Sequence, residues 1–136
     1  MTTLTTSSPL TDSGRPARSL LRLEGAAVLT AAIALYAHLG GSGLAFALLL
    51  FAPDVSMIGY LRGPALGAVV YNAAHVYAGP LALGVIGLLL GWLPGVQLAL
   101  IWAAHIGLDR TLGYGLKYAT GFKDTHLGQL SGGGHR

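Results

Sequence analysis

The chain has 136 residues, of which 53% are hydrophobic and 10% charged, with a formal net charge of +3 and no cysteine. A soluble domain averages about 25% charged residues, so this composition excludes a water-soluble domain and points to the lipid bilayer; the missing cysteines exclude disulfides and thiolate metal sites, leaving His, Asp and Glu as the only ligands for a metal. The basic residues stand at segment ends and form no aromatic-rich basic surface, which excludes nucleic acid as a partner and fits positive-inside membrane topology.

Residues 1–19 are rich in Thr, Ser and Pro and carry Arg15 and Arg18, so a disordered polar tail is expected there. The apolar run that follows is about 20 residues long, longer than the roughly 7 to 15 of a signal-peptide core, and no small-x-small cleavage site closes it. It is read as a retained helix. An all-α fold follows: an integral membrane bundle of four transmembrane helices at 20–39, 44–60, 65–90 and 96–116, within a domain at 20–130. The first holds Arg22 and Glu24 in its opening turns and ends in Gly40-Gly41-Ser42-Gly43. The second carries Pro53 and Asp54, so its last turn should be kinked or irregular. Arg62, Gly63 and Pro64 make a loop, and the third span contains Asn72, His75 and Pro80 before an interfacial Trp92. Residues 117–128 are polar and hold Lys117, Lys123, Asp124 and His126; residues 131–136 are expected to be a flexible tail.

The cations fall in the first, third and fifth connections, at Arg15, Arg18 and Arg22, then Arg62, then Lys117 and Lys123. Both termini should therefore be cytoplasmic, in a multi-pass protein of the inner membrane. Gly59, Gly63 and Gly67, and again Gly87, Gly91 and Gly95, recur every four residues, which turn chemistry and close helix packing account for.

His105 and Asp109 are four residues apart and share one helix face. Converting position to depth at about 1.5 Å per residue places Glu24 roughly 6 Å and Asp54 roughly 9 Å from the cytoplasmic side, Asn72 and His75 roughly 10 to 15 Å, and Asp109 and His105 roughly 10 to 17 Å. Four segments thus put polar groups in one half of the bilayer. Charges at such depth cost on the order of 3 kcal/mol each, so they should face the bundle interior and meet. Each residue has an ordinary reading as well. Glu24 could snorkel and pair with Arg22, Asp54 could cap a turn, and Asn72 could bond helix to helix. Either histidine alone could be a satisfied core residue, and Asp109 could pair with Arg110 at the interface. His38 lies at the opposite membrane face and His135 in the tail, and neither is taken as a site residue.

Three chemistries fit the cluster. A divalent transition metal (Zn, Fe or Mn) could be held by Asp54, His75, His105 and Asp109, with His126 as a further ligand, Glu24 as general base and Lys123 steadying an anionic group. Asn72, Arg110, Tyr114, Lys117 and Asp124 would complete a polar network, and the reaction would be hydrolysis of a small-molecule or lipid substrate. A haem could sit between His75 and His105, although the carboxylates suit it poorly. The third reading is non-catalytic: a structural network, or a proton or solute path. The residues leave a homo-oligomer open.

The phrases R-L-E-G at 22–25, A-P-D-V-S-M-I-G-Y-L at 52–61, Y-N-A-A-H at 71–75, H-I-G-L-D-R-T-L-G-Y-G-L-K at 105–117 and F-K-D-T-H-L-G at 122–128 carry a resemblance. The chain resembles the bacterial membrane protein family catalogued as domain of unknown function 4260. That resemblance implies a small multi-span protein and no established activity. A weaker similarity, on Pro53-Asp54 and Thr125-His126, is to small membrane-bound metal-dependent hydrolases. The chain lacks the second aspartate after Pro-Asp and the His-Arg before Thr-His that such enzymes show.

Overall fold

The computed structural model describes residues 14–118, 121–125 and 128–129, with side chains as far as Lys117. The helices are α1 (Arg15–His38), α2 (Gly43–Leu49) running on into a 3-10 helix η1 (Ala52–Arg62), α3 (Pro64–Ala74), α4 (Ala78–Leu89) and α5 (Leu93–Leu112). They form four rods, because α2 with η1 and α3 with α4 each make one interrupted length. A small antiparallel sheet follows, β1 (Lys117–Tyr118), β2 (Gly121–Thr125) and β3 (Gly128–Gln129), in the order β1-β2-β3. It packs on α3. The helical bundle matches the sequence reading, and the sheet forms in the polar segment 117–128 that the sequence reading expects to fold over the site.

Among the described residues, three rods are long and apolar enough to cross a membrane: Arg15–His38, Gly43–Arg62 and Pro64–Leu89. The fourth, α5, is about 30 Å long at 1.5 Å per residue but carries Gln97, His105, Asp109 and Arg110. It tolerates them because it is the central rod, packed against α1 and α4 and touching η1, with His105, Ile106 and Ala104 fully buried. The outside of the bundle has the opposite character. Leu61 and Leu89 are 84% and 81% exposed, whereas much of the interior is alanine and glycine, at Ala32, Ala68, Ala99 and Ala104. In lipid, apolar burial does not drive helices together, so small residues that let backbones approach take the interfaces.

The tightest crossing joins α1 to α5. A methyl group at Gly25 would lie 2.8 Å from the Gly107 carbonyl oxygen, and one at Gly107 would lie 2.8 Å from that of Gly25. This reciprocal pair was not legible from the four-residue glycine series. Within those series, Gly67 lies against the Tyr60 ring and Gly87 within reach of the Val96 backbone, while Gly63 and Gly91 occupy turns at φ 120° and 61°.

Two prolines set the breaks that matter for the site. Pro53 has no N–H to donate, and the chain leaves α-helical bonding there; Asp54 N instead donates to Phe51 O, three residues back, at 3.1 Å. The irregularity is longer than the single turn expected, for the whole of 52–62 is 3-10 helix, a length that is uncommon. The expected single span at 65–90 is interrupted at His75–Tyr77, between α3 and α4. Pro80 then falls in the first turn of α4, where an amide would have no helical partner in any case. At the other end of the chain, α1 begins at Arg15, with Pro16 in its first turn, so the last residues of the expected tail are helical. The rest of that tail, and residues 131–136, lie outside the described residues.

Candidate metal centre

η1 delivers Asp54, the C-cap position of α3 delivers His75, and one face of α5 delivers His105 and Asp109. One ligand atom from each of the four lies within 4.8 Å of the other three. His75 Nε2 and His105 Nε2 are 3.0 Å apart. Asp54 Oδ1 is 3.4 Å from both nitrogens, and Asp109 Oδ2 is 3.5 Å from both. The two histidines are buried, Asp109 is half-buried, and Asp54 is the most open of the four.

The break between α3 and α4 supplies the frame. His75 Nδ1 lies 2.7 Å from the Tyr71 carbonyl oxygen, one turn back. A carbonyl only accepts, so Nδ1 carries the proton and Nε2 keeps its lone pair for the shared centre. The interrupted helix frees two further carbonyls: Trp102 Nε1 donates to Ala74 O at 2.7 Å, and Arg110 Nη2 donates to His75 O at 3.0 Å. Arg110 also reaches Tyr114 O at 3.4 Å. Its guanidinium therefore clamps the backbone that carries His75, which differs from the interface pair with Asp109 weighed from sequence. Tyr71 stacks on His75 with ring centroids 3.7 Å apart and donates its hydroxyl to Asp109 Oδ2 at 3.3 Å. Phe51 meets the His105 ring edge-on at 6.3 Å.

This donor set fits a single divalent ion. Bonds of about 2.0 to 2.2 Å to nitrogen and oxygen in a tetrahedral shell imply ligand separations of roughly 3.3 to 3.6 Å. Five of the six observed separations are 3.0 to 3.5 Å. Two imidazoles and two carboxylates suit zinc, iron or manganese, and the Tyr71 carbonyl and hydroxyl orient ligands as outer-shell partners do. A haem does not fit. The two imidazoles touch directly, with carboxylates on both, and leave no slot for a porphyrin plane.

Both carboxylates also line a cleft of about 250 Å³ beside the centre. Its polar wall includes Tyr71 and Lys117, and its apolar wall is Phe51, Met57, Leu108 and Leu112, with Tyr114 beside them. Lys117 is buried, its ammonium 5.1 Å from the Tyr71 ring centroid and 5.8 Å from that of Tyr114. Burial pushes this ammonium below its ordinary range, against the opposing pull of Asp109 and Asp54. Asn72 fixes the backbone beneath it: Asn72 Nδ2 donates to Lys117 O at 2.7 Å, and Lys117 N donates to Asn72 Oδ1 at 2.6 Å. Asn72 thus bonds helix to strand, not helix to helix as an amide in a membrane suggested.

The structure therefore brings together Asp54, His75, His105 and Asp109, with Asn72, Arg110, Tyr114 and Lys117 around them. Asp54 does not act as the capping residue weighed from its place after Pro53; its carboxylate meets the histidines. Glu24 is not brought into the group. It lines another cavity, with Arg110, Tyr77 and Gly25, because its turn of α1 lies on the far side of Arg110. Lys123 and Asp124 lie on β2, where the backbone alone is described, and His126 lies outside the described residues. Sequence reasoning missed Tyr71 and Phe51. Tyr71 had a signal, since it stands one helical turn before His75.

No curated protein and no solved structure matches the chain. The family model described as domain of unknown function 4260 matches residues 18–130, all of the helical region but the first three residues of α1, and the sheet beyond it, and the chain belongs to that family.

Proposed function

We propose that this protein is a metal-dependent hydrolase of a membrane-associated substrate, built on a four-span bundle whose centre opens toward the cytoplasm. The observation that carries this reading is that both carboxylates of the four-residue group also line the adjoining cleft, so that a substrate there meets the centre directly. A divalent ion in such a set would polarise water and a substrate oxygen. Asp54, the more open of the two carboxylates, would take the proton-accepting part expected of Glu24 from sequence. Tyr71 and Arg110 hold ligand geometry. His126, the residue after Thr125, is proposed as a further ligand, and Lys123 as a second cation near the cleft.

The fourth span in this reading is α5, shielded from lipid by its neighbours. The cytoplasmic side is assigned from Arg15, Arg18, Arg22, Arg62 and Lys117, which gather at the connections on the site's side of the membrane. A non-catalytic network is the competing reading. It rests on the 3.0 Å His75 to His105 contact, which is a hydrogen-bond distance without any ion.

Metal analysis of detergent-purified protein separates the two. A metal centre predicts about one equivalent of transition metal per chain and its loss in His105→Ala. Wild-type protein without metal, or metal content unchanged in His105→Ala, would overturn the reading and favour the network.

A further inference from the structure

From the walls of the cleft we infer that the metal-loaded centre binds a small anionic amphiphile. Its acidic head group lies between the ion and Lys117, and its chain leaves across Phe51, Met57 and Leu112. The inference rests on the metal reading and adds the substrate class to it.

Charge comes first. Among the described residues, Asp54, Asp109 and Lys117 are the charged members of the cleft wall, two carboxylates against one ammonium. A divalent ion offsets both carboxylates and adds its charge beside the Lys117 ammonium. Loading therefore makes the cleft more positive by two charges, so an anion is held more strongly when the ion is present. Arg110 does not enter this count, because it lines the other cavity and is committed to the carbonyls of His75 and Tyr114. The ammonium of Lys117 is held over two aromatic faces, contacts that fix its position and leave its charge intact.

The apolar wall argues for an amphiphile over a simple anion. Phe51 and Leu112 are each 58% exposed and lie at the same cleft as the ligands. Beyond them the outward face of η1 continues apolar through Val55 and Ile58, both exposed. A volume of about 250 Å³ is that of roughly eight waters at about 30 Å³ each. It admits a head group and the first few methylenes; a longer chain has to pass over the exposed leucine and phenylalanine, which in a bilayer is a passage into lipid. Sugar-like or cationic ligands have little to meet on that wall.

The test is isothermal titration calorimetry on the full chain in phosphatidylcholine nanodiscs, with hexyl phosphate, inorganic phosphate and hexanol as probes. Metal-loaded protein should bind hexyl phosphate at least about ten-fold more tightly than inorganic phosphate, and hexanol not measurably. Chelator-stripped protein should lose the binding. Lys117→Met should weaken it by about ten-fold or more at unchanged metal content, which also shows that the variant has folded. Leu112→Ser, at an exposed position, should weaken hexyl phosphate alone. Equal binding to stripped protein, or unchanged binding in Lys117→Met with metal retained, overturns the inference while the metal reading stands. Equal affinity for inorganic and hexyl phosphate overturns the amphiphile assignment. Wild-type protein that holds no metal overturns both, and metal analysis identifies that outcome separately.

Discussion

His75 Nε2 and His105 Nε2 face each other at 3.0 Å, although thirty residues separate them in the chain. Because His75 has committed its Nδ1 proton to the Tyr71 carbonyl, its Nε2 can only accept. The contact then has two meanings. Either His105 donates an Nε2 proton into a group that includes two carboxylates, or both nitrogens turn lone pairs toward a common cation. The spacing of Asp54 and Asp109 around the pair leaves room for such a cation.

Tyr71 supports this arrangement twice, through its carbonyl and its hydroxyl, and Tyr71→Phe removes only the second. The ring stays stacked on His75, so the fold should persist. Loss of an outer-shell bond to a ligand typically costs about 10- to 100-fold in metal affinity. Chelator competition on the two proteins should show a decrease in that range; equal affinities would mean that Asp109 needs no such support.

At the α1 to α5 crossing, Gly107→Ala places a methyl group 2.8 Å from both the Gly25 carbonyl oxygen and the Leu29 amide nitrogen. Backbone cannot move aside as a flexible side chain can, so the helices must separate. A cost of about 1 to 3 kcal/mol is expected. Thermal unfolding in detergent measures it, and a melting temperature equal to that of wild type would contradict so close a crossing.

Asn72→Ala removes both bonds that hold the Lys117 backbone to α3. With their partners left behind, about 1 to 3 kcal/mol of local stability should be lost per unsatisfied group. Hydrogen exchange should then accelerate at the Lys117 amide and in β1, while metal content stays at the wild-type level because no ligand is touched. Wild-type exchange at this amide would show that the strand is held some other way.

The depressed Lys117 ammonium has a pH consequence with a definite sign. Between its lowered folded value and the ordinary 10.5, the unfolded chain binds a proton that the folded chain has released. Stability should therefore rise with pH through that window. Melting temperatures of chelator-treated wild type, compared with Lys117→Met across the alkaline range, should converge or cross as pH increases. A constant difference would show that burial does not penalise this charge.

Much of this was legible from sequence, for reasons specific to a membrane chain. Apolar runs of near-span length set the rods, because a bilayer demands length and apolarity whatever the packing. The four ligands could be found because an ionisable residue at depth is costly in lipid and must find partners inside. Asp54, His75, His105 and Asp109 were matched by depth along their segments, and depth is a one-dimensional quantity that sequence supplies. Rotation about each rod is not. Glu24 has a depth near that of Asp54, yet its turn of α1 faces past Arg110 into a different cavity. Only the crossing of α1 on α5, set by Gly25 and Gly107 in mutual contact, decided that. Tertiary structure also decided that Asn72 would pin Lys117 beside the centre. These outcomes depend on which backbone groups meet across rods that are far apart in sequence, and no local pattern of residues carries that information.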